Sequence, residues 1–223
     1  MDETGYRFDR NYEETARLRD GTRAKLRTIR ASDKQLLVEG FERLSRRSRY
    51  TRFLAPKQKL SDRDLRYLTE VDGVDHFALV ALKHPMFGQE EGIGVGRFVR
   101  LADRIDTAEP AITVADDHQG KGLGTILLHC LMDAAWERGI RQFRCELLAE
   151  NTRMRELLTE IETDVLIEHV EDGALVVTFA IEAPVPKERR HLRSSVRRAL
   201  SYLAQDLVSF IPRATRHPEE RDR

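Results

Sequence analysis

Glu109-Pro110-Ala111-Ile112-Thr113-Val114-Ala115-Asp116-Asp117-His118-Gln119-Gly120-Lys121-Gly122-Leu123-Gly124-Thr125 reads as a strand that runs into a loop with glycine at every second position, followed at once by a helix. Glycine lets a backbone come close to a ligand and take conformations that a Cβ forbids. A helix N-terminus offers unsatisfied N–H groups and a partial positive charge, which together suit a phosphate. Lys121 adds a point charge beside them. A Walker A loop would need Gly-Lys-Ser/Thr at its end, and glycine follows Lys121 instead. A dinucleotide fingerprint would need G-x-G-x-x-G in an early βαβ unit, which this segment does not supply. Gly92-Ile93-Gly94-Val95-Gly96-Arg97 fails as well, because strand-like residues follow it; its glycines are expected to permit bending or close strand approach.

Upstream, Lys25 to Arg30 alternates charged and apolar residues as a half-buried strand does. Ser32 and Gln35 have capping-box spacing ahead of a helix carrying Leu36, Leu37, Phe41 and Leu44. That helix runs into the basic stretch Arg43 to Lys59, and Ser61 opens a short helix with Leu65 and Leu68. Strands are expected at 76–82, 93–101 and 108–115. Downstream, Ile126, Leu127, Cys130, Leu131, Ala134 and Ala135 form an apolar helix stripe that Gly139 stops. A strand at 142–148, a helix at 152–159 and a closing hairpin of 165–169 with 174–181 complete the pattern. The domain reading is an N-terminal arm at 1–20, a compact domain at 21–183 and a tail at 184–223.

The chain has 223 residues, 38 basic against 38 acidic, enough for a sizeable core and too balanced for a protein built mainly to grip nucleic acid. Two cysteines, Cys130 and Cys145, exclude a disulfide scaffold and a four-thiolate zinc site. His76, His84 and His129 lack metal-ligand spacing, so no metal is expected. The charged first residues carry no apolar signal region and no stretch is apolar enough to span a bilayer, so the reading expects a cytoplasmic protein. Pro184 and Pro186 introduce a tail with ten basic and five acidic residues, whose apolar positions from Leu192 to Phe210 trace one helical face. Such a helix suits dimerisation, docking of a partner or contact with anionic lipid.

Gln119-Gly120-Lys121-Gly122-Leu123-Gly124 resembles the pyrophosphate loop of the GNAT acyltransferases, Gln/Arg-x-x-Gly-x-Gly/Ala, in the expected strand–loop–helix setting. Ala108-Glu109, Asp20-Gly21, the Leu44-Ser45-Arg46-Arg47-Ser48-Arg49-Tyr50-Thr51-Arg52-Phe53 stretch and Glu150-Asn151-Thr152-Arg153-Met154 are similar to the bacterial Pat-like protein lysine acetyltransferase branch. The resemblance covers about residues 20–181. It implies an α/β (α+β) GNAT fold, with a mixed, mostly antiparallel sheet of six or seven strands, flanking helices and a splayed central pair; a C-terminal amphipathic helix would follow.

It also implies acetyl-CoA as donor, a lysine-bearing protein as partner, and direct attack by the amine on the thioester. Backbone groups of Ile112, Thr113 and Val114 would then hold the acetyl and pantetheine, and Gln119, Gly120, Lys121, Gly122, Leu123, Gly124 and Thr125 the diphosphate. Asn151 would touch the pantetheine and Arg153 the cofactor's phosphate end. Glu109 would be the base, because taking a proton from lysine at pH 7 costs about 4.6 kcal/mol. No tyrosine stands in Arg155 to Thr159 to serve as acid. Pro110 departs from the family's apolar residue and lacks a ladder donor. Two other readings stay open on the same scaffold: a small-molecule amine as acceptor, and a non-catalytic acyl-CoA-binding regulator.

Overall fold

The computed structural model describes residues 5–53, 55–83, 90–148, 150–160, 165–169 and 174–184. Eight strands form one sheet: β1 (Glu13–Arg17), β2 (Arg23–Thr28), β3 (His76–Lys83), β4 (Glu91–Leu101), β5 (Arg104–Val114), β6 (Gln142–Leu148), β7 (Val165–His169) and β8 (Ala174–Ala180). Their order is β1-β2-β3-β4-β5-β6-β8-β7, with every neighbouring pair antiparallel except β5 and β6. Parallel neighbours need a crossover, and α4 (Leu123–Glu137) makes it. Between β2 and β3 come α1 (Lys34–Glu42), α2 (Arg46–Phe53) and α3 (Asp62–Thr69), and α5 (Thr152–Glu160) follows β6.

The strand beyond the expected seven is β1, inside the segment read as an arm. It pairs with β2, and Phe8, Tyr12 and Leu18 around it are buried in the main core. The other expected strands and helices are present. The hairpin turn at 171–173, the tail at 184–223 (beyond Pro184) and the Arg153 side chain lie outside the described residues.

Strand alternation sends Phe77, Leu79 and Ala81 to the face covered by α4, and Ala78 to the face covered by Leu37 of α1 and Leu68 of α3. The glycines of β4 serve close helix packing and, at Gly94, where a Cβ would lie 3.2 Å from the Thr113 carbonyl oxygen of β5, close strand approach as well. A Cβ on Gly94 would lie 3.1 Å from Leu123, and one on Gly96 3.1 Å from Leu131, so α4 sits where only glycine admits it. That close seat fixes the height of the α4 N-terminus above β5.

The Ser32/Gln35 capping box does not form. Asp33 is drawn inward by the buried Arg27 guanidinium, which donates two hydrogen bonds of 2.8 Å to its carboxylate, and the same carboxylate accepts the Arg30 N–H at 2.7 Å. A buried cation needs a paired anion more than a helix start needs a serine. At α3 the capping pair does form, with Asp64 N–H donating to Ser61 Oγ at 3.2 Å and Ser61 N–H donating to Asp64 at 2.8 Å.

Candidate active site

Parallel strands β5 and β6 pair only at Thr107 with Gln142 and Ala108 with Phe143, and then separate. From Glu109 onward the β6 side of β5 has no strand partner, and a cleft of about 550 Å³ opens there. Its volume is that of a small-molecule site. Glu109, exposed, stands just past the last pair, at the apex of the opening.

Backbone parity assigns the donors. The Ala115 N–H donates to the Ile93 carbonyl of β4, so with the β4–β5 register the backbone groups of Thr113, Ala111 and Glu109 also point to β4. Those of Val114, Ile112 and residue 110 point into the cleft. The absent N–H of Pro110 therefore leaves the β4 ladder intact, and Ile112 carries the first cleft-facing donor beyond Glu109. Thr113, expected to offer backbone to a ligand, has it in the ladder instead.

At the other end of the cleft lies the glycine loop. Gly120 and Gly122 have φ of 74° and 86°, and Gly122 is the residue before α4. The N–H groups of Gly120, Lys121 and Gly122 donate to no acceptor among the described residues, and Leu123 and Gly124 stand in the first turn, where no helical partner exists. A Cβ on Gly124 would come no closer than 3.8 Å to Leu157, so protein packing does not explain that glycine, whereas a ligand against the amides would. The loop thus fits a diphosphate through its backbone amides, as expected, while the point charge expected of Lys121 is paired within the protein. Lys121 Nζ is 3.0 Å from Asp20, Leu123 is buried in the core, and Gln119 Nε2 donates to Val114 O at 3.1 Å and Asp116 at 2.8 Å.

The family-like stretches converge on this loop. The Asp20 carboxylate accepts the Thr22 N–H at 3.0 Å, and that bond and Lys121 hold its pKa well below the usual range. Arg19 donates its N–H to Lys121 O, and its side chain lies beside Gly122 on the cleft wall. Ser45 N–H and Ser48 Oγ both donate to Asp116, tying the start of α2 to the loop. Sequence reasoning missed Arg19 and the two serines as site residues; the serines stand in a quoted motif and Arg19 beside one, but their partners in the loop are distant in sequence. Asn151 Oδ1 accepts the Met154 N–H at 3.1 Å, capping α5, while the residue lines the cleft. The arginines of the basic run divide. Arg49 donates to Glu42 O and covers Phe41, Arg43 pairs with Glu91, and Arg47 and Arg52 face the cleft.

Cys145 of β6 lines the cleft opposite Glu109; burial pushes its thiol up to about 12, and the charge of Glu109 adds to the rise. Among the described residues no three His, Cys, Asp or Glu side chains gather as metal ligands, and no helix is long and apolar enough to cross a membrane. On the α3 side of the sheet, burial and the adjacent Arg97 cation hold the His76 imidazole down to about 4, against the pull of Asp72. An unfolded histidine titrates near 6.5, so between pH 6.5 and 4 the unfolded chain takes up a proton that the folded one refuses. Stability is therefore full above about pH 6.5 and declines down to about 4. His76→Gln should flatten that decline, read as the urea midpoint against pH.

The family model described as Acetyltransferase (GNAT) domain matches residues 23–162. Acetyltransferase PA5475 of Pseudomonas aeruginosa is 34% identical over 140 residues, which is 63% of this chain and 74% of that protein. Acetyltransferase Pat of Mycolicibacterium smegmatis is 32% identical over 144 residues, 65% of this chain and 42% of that protein, so the match spans less than half of that relative. The crystal structure of the GNAT domain of S. lividans PAT superposes with a TM-score of 0.68 at 33% identity, over 75% of this chain and 96% of that one.

Proposed function

We propose, from the premise that the chain belongs to the acetyltransferase (GNAT) family, that it transfers the acetyl group of acetyl-CoA to the Nε of a lysine in a protein, with Glu109 as general base. The chain is an N-acetyltransferase of the Pat-like branch, and acetyl-CoA is its donor. The carrying observation is one cleft with Glu109 at its apex and a cradle of unsatisfied amides at its far end. Glu109 to Val114 is six residues of extended strand, about 17 Å from first to last, and its cleft-facing groups suit the amides of a pantetheine arm.

Acetyl-CoA supplies an activated thioester carbonyl. The residues do the rest. The amides of residues 120–124, with the dipole of α4, hold the diphosphate. Asn151 orients the arm from the α5 side. The Ile112 N–H, the first cleft-facing donor past Pro110, polarises the thioester oxygen as negative charge develops on it. Glu109 accepts the ammonium proton, directly or through one water, and so makes the amine a nucleophile. Cys145 is not the acid that protonates the departing sulfur. At about 12 it holds its proton more tightly than an ordinary thiol does.

The likeness to Pat proteins supports a protein lysine as acceptor. The test is mass spectrometry of folded proteins, lysine peptides and a panel of small amines after incubation with enzyme and acetyl-CoA. Acetyl on lysine side chains is the expected result. Turnover confined to free small amines would replace the acceptor, and binding without turnover on any of them would remove the activity.

A further inference from the structure

A second cavity, of about 80 Å³, lies under α1 and α2 against the β4–β5 face. It adjoins the cleft, since Arg52, Ala111 and Thr113 line both. Its volume admits a few heavy atoms beyond a water molecule. Its walls are mostly apolar, with Phe41, Leu44 and Leu68 among them, and among the described residues its charged side chains are Arg52 and Arg97.

Arg97 is 4% exposed. Its Nη2 donates to Leu68 O at 3.1 Å and its Nη1 lies 3.0 Å from His76 Nε2, yet among the described residues neither it nor Arg52 makes an ion pair with a carboxylate. Glu109 attracts Arg52 from beyond ion-pair distance. The other buried arginines are served differently. Arg27 has the Asp33 carboxylate on two bonds, and Arg138 donates to the carbonyls of Gly73, Ala134 and Phe8. Arg52 and Arg97 instead line one cavity as like charges. Burial, with Arg52 adding to it, pushes Arg97 down to about 9, which leaves it a cation at neutral pH, while burial lowers Arg52 against the pull of Glu109. A buried cation and a half-buried one beside a mostly apolar cavity are stable company for an anion and poor company for each other. A carboxylate, with two oxygens for two guanidinium forks, answers both charges.

We propose that Arg52 and Arg97 form a carboxylate subsite next to the reacting centre, which selects reactants carrying a carboxylate a few bonds from the thioester or from the amine. The proposal rests on the reading that thioester and amine meet at Glu109. The carboxylate has two possible sources: the far end of a dicarboxylic acyl donor, passing the small Ala111 side chain, or an acidic group beside the acceptor amine.

Both sources are testable on the full chain with neutral isosteres. In one arm, calorimetry compares succinyl-CoA with butyryl-CoA. In the other, kcat/KM with acetyl-CoA is compared for lysine peptides bearing Glu or Gln beside the lysine. The carboxylate form should be favoured about ten-fold or more in at least one arm, and the arm identifies the source. Arg52→Gln should bring that ratio to near unity and Arg52→Lys should keep part of it, with thermal melts confirming that each variant is folded. Lysine acetylation with neither preference, or a preference that survives Arg52→Gln, overturns the subsite and leaves the proposed function standing. If no lysine peptide is acetylated, the proposed acceptor fails, and the subsite then stands or falls on the succinyl-CoA to butyryl-CoA ratio alone.

Discussion

Glu109→Gln is expected to lower kcat for lysine acetylation by about 10²–10⁴, the usual contribution of a positioned general base, while the calorimetric affinity for acetyl-CoA changes little. The split follows from geometry. Glu109 stands at the apex of the β5–β6 opening, whereas the unsatisfied amides are at the glycine loop, five strand residues and a turn away. The side chain is exposed, so the substitution should move stability by no more than about 0.5 kcal/mol, and lost turnover cannot be lost folding. The pH profile provides a second signature. Without the base, the rate should depend on the free-amine fraction and keep climbing toward the lysine pKa of about 10.4, where the native enzyme levels off earlier. Unchanged turnover at neutral pH would remove Glu109 from the mechanism.

Gly124→Ala should move stability and acetyl-CoA affinity in opposite directions. Its Cβ would sit 3.8 Å from Leu157, an ordinary contact, and φ there is not positive. Alanine in place of helical glycine gains up to about 1 kcal/mol, less in the first turn, so the melting temperature should hold or rise. The same methyl projects from the first turn of α4, where the diphosphate is proposed to lie, and affinity should fall about ten-fold or more, some 1.4 kcal/mol. Gly122→Ala is the contrast. With φ of 86° and its Cβ 3.3 Å from Arg19 Nε, alanine there costs about 1–2 kcal/mol of folding stability, and both quantities should drop. A Gly124→Ala protein with full affinity would mean that the amides hold something other than the nucleotide thioester.

Much of this was readable in one dimension because its causes are local. Alternation at Lys25 to Arg30, the stop at Gly139 and the glycines ahead of α4 each express a backbone preference of a few neighbouring residues. The loop's role as a cradle was legible for the same reason, since free amides at a helix start follow from the helix itself. The errors have a common origin too. The motif does not say where the side chains of Lys121, Gln119 and Leu123 go: Asp20, Asp116 and the core claim them, and only their backbone is left to the cleft. Ser32 was read as a cap, but the buried Arg27 recruited Asp33.

Pattern alone thus pointed to the class of fold and to a strand–loop–helix with free amides, because period, glycine conformation and helix ends are properties of short stretches, whereas Glu109 was singled out by family resemblance. Only the folded chain decided that β5 and β6 part after Ala108, that the amideless nitrogen of Pro110 turns to the open side, and that Arg52 meets Arg97 at the cavity. Those outcomes depend on register and on side chains far apart in sequence, whose charges and volumes interact only after the sheet has brought them together.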